Sequence, residues 1–174
     1  AQIESAGLVC GLGVESGSVT TNDYAGGLVG TLYGALDRCW NGATVRTAID
    51  NYDPAGGLAA YGSGKITNCY NVGSVENGDW VYYAGGILGS TPSDKGATVE
   101  NCYSVGPQNQ GYRDFGAIIG NRRSVGSVSN NYYLGGKGFG NADADASEAQ
   151  QLSTAQLQSW GASYALNGGT GAQK

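Results

Sequence analysis

Runs of three to six residues rich in Val, Ile, Leu, Thr and Tyr recur along the chain, each closed by Gly, Asn, Asp or Ser. Apolar runs this short, bounded by turn formers, predict strands. Nothing before residue 147 is long and periodic enough for a helix. The runs themselves repeat. Tyr24-Ala-Gly-Gly-Leu-Val-Gly30 returns as Pro54-Ala-Gly-Gly-Leu-Ala-Ala60, as Tyr83-Ala-Gly-Gly-Ile-Leu-Gly89 and, more loosely, as Asp114-Phe-Gly-Ala-Ile-Ile-Gly120. Taking Gly27, Gly57, Gly86 and Gly116 as markers gives steps of 30, 29 and 30. A second motif follows each marker: Asp37-Arg-Cys-Trp40, Thr67-Asn-Cys-Tyr70, Glu100-Asn-Cys-Tyr103 and Ser129-Asn-Asn-Tyr132. A third short run, Ala43-Thr-Val45 or Gly73-Ser-Val75, closes the unit, and Gly7-Leu-Val9 with Gly17-Ser-Val19 resembles a shortened first copy.

Units of this length, each with about three short strands, stack as a solenoid in which every coil adds one strand to each of several parallel sheets. The expected fold is therefore all-β: a parallel β-solenoid of about four coils. The marker-to-Cys spacing is 12 in the first two coils (27 to 39, 57 to 69) and 16 in the third (86 to 102). The surplus falls in the polar turn Ser90-Thr-Pro-Ser-Asp-Lys-Gly96. Stacked coils tolerate such insertions at their corners.

Stacking assigns roles by column. The marker glycines meet a backbone need, either a positive φ or close approach of neighbouring coils. Leu28, Leu58, Ile87 and Ile118 should form one buried aliphatic column. Asn68, Asn101 and Asn130, with Arg38 as the exception, align at a corner where Asn can hydrogen-bond its copies. Trp40, Tyr70, Tyr103 and Tyr132 form an aromatic column, either half-buried or a platform for sugars. Cys39, Cys69 and Cys102 lie on adjacent coils within disulfide reach, but three in one column cannot all pair and Cys10 is off the motif. Buried thiols packing as small hydrophobes fit that arrangement, with oxidation left open.

Residues 141–174 change character and form a second segment beside the solenoid of residues 1–140. Asn141-Ala-Asp-Ala-Asp-Ala146 is a small polar connector whose Asp143 and Asp145 are a weak Ca²⁺ signal. A helix is expected from about 148 to 166, with a capping box at Ser153 and Gln156 and an apolar stripe of Leu157, Trp160 and Tyr164 laid over the last coil. The tail from Gly169 reads as flexible.

Composition narrows the chemistry. Of 174 residues, 32 are Gly, 12 are Tyr, none is His and none is Met. Without His, Ser-His-Asp and Cys-His catalysis and imidazole metal sites fall away. The net charge of −5 disfavours nucleic acid and anionic lipid as partners, and no apolar run is long enough to span a membrane. No metal or cofactor is expected. A polysaccharide-cleaving enzyme would need paired carboxylates on one face. Asp53, Asp79 and Asp114, near Arg113, share the inter-motif region but stand 4 before, 7 before and 2 before their markers, so they do not form one ladder.

The pairing of A-G-G-[LI]-[VL]-G with N-C-Y-x-V-G-[SP] resembles the GLUG repeat of large bacterial surface proteins. The resemblance covers residues 24–134 and extends weakly over the first 23. Ala59-Ala60 in the second copy, Phe115 and Ala117 in the fourth, and Asn131 in place of a fourth Cys depart from the pattern. It implies an extracellular module on the bacterial cell surface, adhesive or spacer in duty, joined to other domains of a longer protein. No catalytic set comes with it. The alternative is a carbohydrate-binding module, with Trp80, Tyr82 and Tyr112 as candidate ligand contacts. Expected partners are a surface glycan or protein, and another copy or preceding domain stacked on the N-terminal coil.

Overall fold

The computed structural model describes residues 1–48, 52–77, 82–107, 114–124 and 126–158. The chain winds as a succession of very short strands, and each coil lays its strands against the same strands of the coils before and after it. Five sheets result, all parallel. One runs Gln2–Ile3, Val29–Leu32, Ala59–Gly62, Leu88–Ser90, Ile119–Asn121. A second runs Ala25–Gly26, Ala55–Gly56, Tyr83–Gly85, Asp114–Gly116. A third holds Leu8–Cys10, Ala35–Asp37, Lys65–Thr67, Thr98–Glu100, Val128–Ser129, and a fourth Gly13–Val14, Trp40–Asn41, Tyr70–Asn71, Tyr103–Ser104, Asn131–Tyr133, Ala149–Gln151. Ser18–Thr21, Thr44–Thr47 and Val75–Asn77 make the fifth. The expected β-solenoid of about four coils is the fold, but each full unit uses four or five strands of two to four residues where the hydrophobic runs suggested three. One run, such as residues 25–32, bends at Gly27-Leu28 and serves two sheets.

The register corrects one column. Gly85 pairs with Gly116, as Gly26 does with Gly56 and Gly56 with Gly85. Gly116 thus belongs to the first glycine of the Gly-Gly pair, and Ala117 holds the fourth place after Gly27, Gly57 and Gly86. None of these glycines has a positive φ. Close approach is the reason for them: a side chain at Gly27 would overlap the carbonyl of Gly57 and the amide of Asn41, and one at Gly57 would overlap the carbonyl of Gly86 and the amide of Asn71.

Those two amides are a feature the repeat reading did not single out. Asn41 and Asn71 follow the ring of the aromatic motif and are fully buried. Asn41 Nδ2 donates to Asn71 Oδ1 at 2.9 Å and to the Ala43 carbonyl at 2.9 Å, and its Oδ1 accepts from Ala43 N at 3.1 Å. Asn71 Nδ2 donates to the Gly73 carbonyl at 2.8 Å. The ladder runs between two apolar clusters. The larger contains Val29, Leu36, Leu58, Ile66, Ile87, Val99 and Ile118; the smaller contains Ala25, Val45, Ala55, Val75 and Ala84. In the last two coils Ser104 and Tyr133 take the Asn place. The fourth coil therefore has no amide there for Ala117 to displace. Asn71→Ala should cost about 1–3 kcal/mol, because it strands the buried Asn41 amide and the Gly73 carbonyl. Urea unfolding at an unchanged m-value is the measurement.

Leu58, Ile87 and Ile118 are buried as expected, whereas Leu28 is only partly so. Leu28 packs on Leu58 of the next coil, and residues 1–24 lay no strand on its other side.

At the other end the expectation of a long helix from 148 is corrected. Ala149–Gln151 is a strand paired with Asn131–Tyr133, with Ala149 inward and both Gln outward. The open edge of that sheet outweighs the helix propensity of Glu-Ala-Gln-Gln. Only Thr154–Leu157 is helical among the described residues, with the expected capping box from Ser153 and Gln156. None of its residues is buried; Trp160, Tyr164 and the tail lie outside the described residues. The last coil is instead covered by residues 137–140 and 147–152. Ala117 N and Ile118 N donate to the carbonyls of Lys137 and Gly138, Phe139 is fully buried, and Arg122 Nη2 meets Glu148 Oε1 at 2.8 Å.

The Arg122 hydrogen bond holds the Glu148 carboxyl below its ordinary value. A depressed native pKa gives stability that is present above the unfolded value and lost as pH falls through the folded one. Glu148→Gln should therefore lower stability at neutral pH, by on the order of 1 kcal/mol. The gap from wild type should close below about pH 4, as followed by melting temperature against pH.

Candidate functional site

Side chains that point out of the stack are where chemistry can occur, and they fall into three groups. The first is the corner after the third sheet. Gly11, Arg38, Asn68, Asn101 and Asn130 all adopt φ between 52° and 68°. This left-handed turn explains the Asn column: Asn tolerates that backbone better than other non-glycine residues. Their side chains ladder along the outside rather than the inside. Asn68 Nδ2 donates to Asp37 Oδ1 at 2.7 Å, Asn101 Nδ2 to Asn68 Oδ1 at 3.3 Å and Asn130 Nδ2 to Asn101 Oδ1 at 2.6 Å. The Asn68 bond, then those of Arg38 and Thr67, keep Asp37 ionised below its usual range. These groups are occupied with one another.

The second group is the aromatic column. Trp40 and Tyr70 stack at 5.6 Å and 7°, Tyr70 and Tyr103 at 4.9 Å and 4°. Trp40 lies over Gly13, where a side chain would collide with the indole. Tyr70 is sandwiched between Trp40 and Tyr103, so it presents only its edge to solvent. A sugar stacks on a free face, and Tyr70 has none; the stacked rings serve register and burial. Behind it run the thiols. Cys39, Cys69 and Cys102 are buried and Cys10 is exposed, all four as free thiols. Cys39 N donates to Cys69 Sγ at 3.3 Å, and Asn131, in the fourth place, accepts from Cys102 N through Oδ1 at 3.0 Å. Burial pushes the Cys102 thiol well up, so it stays protonated. Cys10 instead lines up with Asp37, and Arg38 Nη2 reaches its sulfur at 3.0 Å.

The third group faces away from both. Tyr24, Pro54 and Tyr83 occupy one column beside the second sheet, and Tyr61 rises from the first sheet next to them. Tyr24 and Tyr61 rings are 5.3 Å apart and tilted by 35°. Tyr82 stacks on Tyr52 at 4.3 Å and tilts against Tyr83 at 6.2 Å, and the Arg123 guanidinium lies over Tyr83 at 5.1 Å. Burial chiefly, then Asp53, Tyr61, Asp23 and Tyr33, raises the Tyr24 hydroxyl. Burial and then Tyr33 raise that of Tyr61. By register, Tyr33 stands two residues past Thr31, the partner of Tyr61, and Asp53 aligns with Asp23 one coil earlier. Asp53 is itself raised by burial and by Asp23.

Of the expected ligand contacts, Tyr82 is thus part of a tyrosine-rich surface; Trp80 and Tyr112 lie outside the described residues, as do Asp79 and Arg113. Asp53 and Asp114 are not brought together. Asp114 pairs with Tyr83 one coil beyond and accepts from Asn121 Nδ2 at 2.7 Å. It sits two coils from Asp53, roughly 10 Å at a strand spacing of ~4.8 Å. Asp145 accepts from the Ser147 amide and hydroxyl, which holds its carboxyl low. Among the described residues, no three His, Cys, Asp or Glu side chains converge as metal ligands would, and no helix is long and apolar enough to cross a membrane. Sequence reasoning missed Tyr24, Tyr33 and Tyr61. Their signal was the Tyr at the start of the first and third A-G-G copies and after the second, which column alignment alone does not bring onto one surface. Comparisons with protein-family models, with curated proteins and with solved structures find no match.

Proposed function

We propose that this chain is a non-catalytic binding and spacer module of a bacterial surface protein, working outside the cell. The observation that carries this reading is the division of labour across the coil. Inward columns repeat and lock the stack, while outward tyrosines of successive coils gather on one surface. A stack of parallel strands resists shear and gives a stiff spacer, and rings held at fixed spacing give contact area at little entropic cost. The likeness of the repeat to the GLUG repeat supports an extracellular setting. Microspheres coated with the domain should be retained on epithelial or bacterial cell layers under flow, well above albumin-coated controls. Retention equal to albumin on every surface would contradict the reading.

A further inference from the structure

Cys39, Cys69 and Cys102 make a ladder of buried free thiols on three successive coils. The residues that follow them pair in register, Trp40 with Tyr70 and Tyr70 with Tyr103, so each sulfur is one coil from the next. All three side chains also turn the same way. Each Sγ lies by the carbonyl two residues back in its own coil: Asp37 at 3.3 Å, Thr67 at 3.0 Å and Glu100 at 3.2 Å. Each also lies by a carbonyl of the preceding coil: Val9 at 3.5 Å, Leu36 at 3.7 Å and Ile66 at 3.6 Å. Equivalent placement makes the step between sulfurs the coil step itself, ~4.8 Å. A disulfide needs sulfurs ~2 Å apart and Cβ atoms ~3.8 Å apart, so it would have to turn the side chains and draw two coils together. A linear S–metal–S unit with bonds of ~2.3 Å is roughly 4.6 Å long, which the ladder accommodates as it stands.

We propose that this ladder binds a soft, two-coordinate cation, copper(I), held in line between the Cys69 sulfur and that of a ladder neighbour. Thiolates select copper(I), whereas carboxylate and carbonyl oxygens suit the hard cations. Zinc asks for four ligands, and among the described residues no third Cys, His, Asp or Glu converges on a pair of these sulfurs. The surroundings are apolar instead, with Leu36, Ile66 and Val99 in the same cluster. The expectation of no metal rested on the lack of imidazole and of converging carboxylates, and a linear bis-thiolate needs neither. Binding exchanges protons for the cation. Two S–H bonds break, two S–copper bonds form, both protons leave to solvent and no electron is transferred. Cys69 is the middle sulfur and the best prepared to ionise: the Cys39 amide donates to it at 3.3 Å, and a hydrogen bond from the Cys102 thiol holds it low. The way in is short, because each Cys directly follows a residue of the outer corner, Arg38, Asn68 or Asn101.

The test uses the whole chain carrying Cys10→Ser, which removes the exposed thiol. The protein is reduced, kept free of oxygen and titrated with copper(I) against a competing copper(I) chelator. X-ray absorption of the first copper bound should show two sulfur neighbours in line and no nitrogen or oxygen ligand. A weakly buffered solution should gain two protons for that copper, and the melting temperature should rise with its concentration. Adding Cys69→Ser should weaken binding at least about tenfold, since losing one of two ligands costs no less than losing an outer-shell partner. Cys39→Ser or Cys102→Ser alone should keep one gap of the ladder and its copper, and the two together should lose it. Circular dichroism checks that each variant is folded; if a Ser variant is not, the absorption spectrum and proton count of the parent protein decide alone. A folded, reduced parent that retains no copper, three or more ligands around the metal, no proton release, or binding indifferent to Cys69 in a folded variant would overturn the assignment.

Discussion

Replacing Leu58 by Ala should destabilise the domain by about 2–5 kcal/mol, one of the two largest effects expected of any single change. Leu58 is fully buried, packed between Leu28 on the coil before and Ile87 on the coil after. Its amide donates to the Ile87 carbonyl and its carbonyl accepts from Leu28 N and Val29 N, so the backbone is fixed on both sides and cannot collapse into the space left by the side chain. Chemical denaturation gives the free energy, and the melting temperature should fall by roughly 4–20 °C for a domain of this size. Leu28→Ala provides the internal comparison. Leu28 occupies the same column but is only partly buried, so its loss should be clearly smaller. Equal losses at the two positions would mean that the first coil is covered in solution as fully as the second.

The second large effect belongs to Gly57. A methyl group there meets the Gly86 carbonyl of the next coil and the buried amide of Asn71, and the carbonyl is backbone that cannot swing aside. Relief requires prying two coils apart or expelling Asn71 from its ladder. Overpacking in a core costs typically 1–3 kcal/mol and more when backbone must move; Gly57→Ala should reach or exceed the top of that range. Gly135→Ala is the matched control. It has a negative-φ or extended backbone and nothing within 4 Å of the added carbon, so its change should stay within about half a kilocalorie. Thermal unfolding of the two variants side by side decides the matter.

The parts of the fold legible in the sequence are those set by the coil period. Leu58, Ile87 and Ile118 recur at a fixed place, and any solenoid with that period buries them. The Trp40-Tyr70-Tyr103 stack follows from the same spacing, as does the surplus expected in 90–96, which lies in the turn between Ser90 and Thr98. What failed to show was set by neighbours rather than by period. Gly116 looked like the second glycine of its pair because Ala117 hid the true one; only strand pairing with Gly85 resolves it. Residues 149–151 carry a helical composition, yet the unpaired edge beyond Asn131–Tyr133 draws them into a sheet. Asn41 and Asn71 do not stand out in the repeat, yet the gap left by two glycines makes them a buried ladder. The tyrosine surface was the least legible of all, because Tyr24, Tyr33 and Tyr61 sit at different places in their repeats and meet only across a corner.

On the proposed reading, the domain holds a ligand on its outer tyrosine rings without altering it. Overnight incubation of the purified domain with a pool of neutral and acidic oligosaccharides, then gel filtration and mass spectrometry, identifies what travels with the protein. An oligosaccharide of unchanged mass should co-elute with wild type and be absent from the Tyr24→Ala fraction. An oligosaccharide that never co-elutes, or one recovered in shortened form, would contradict it.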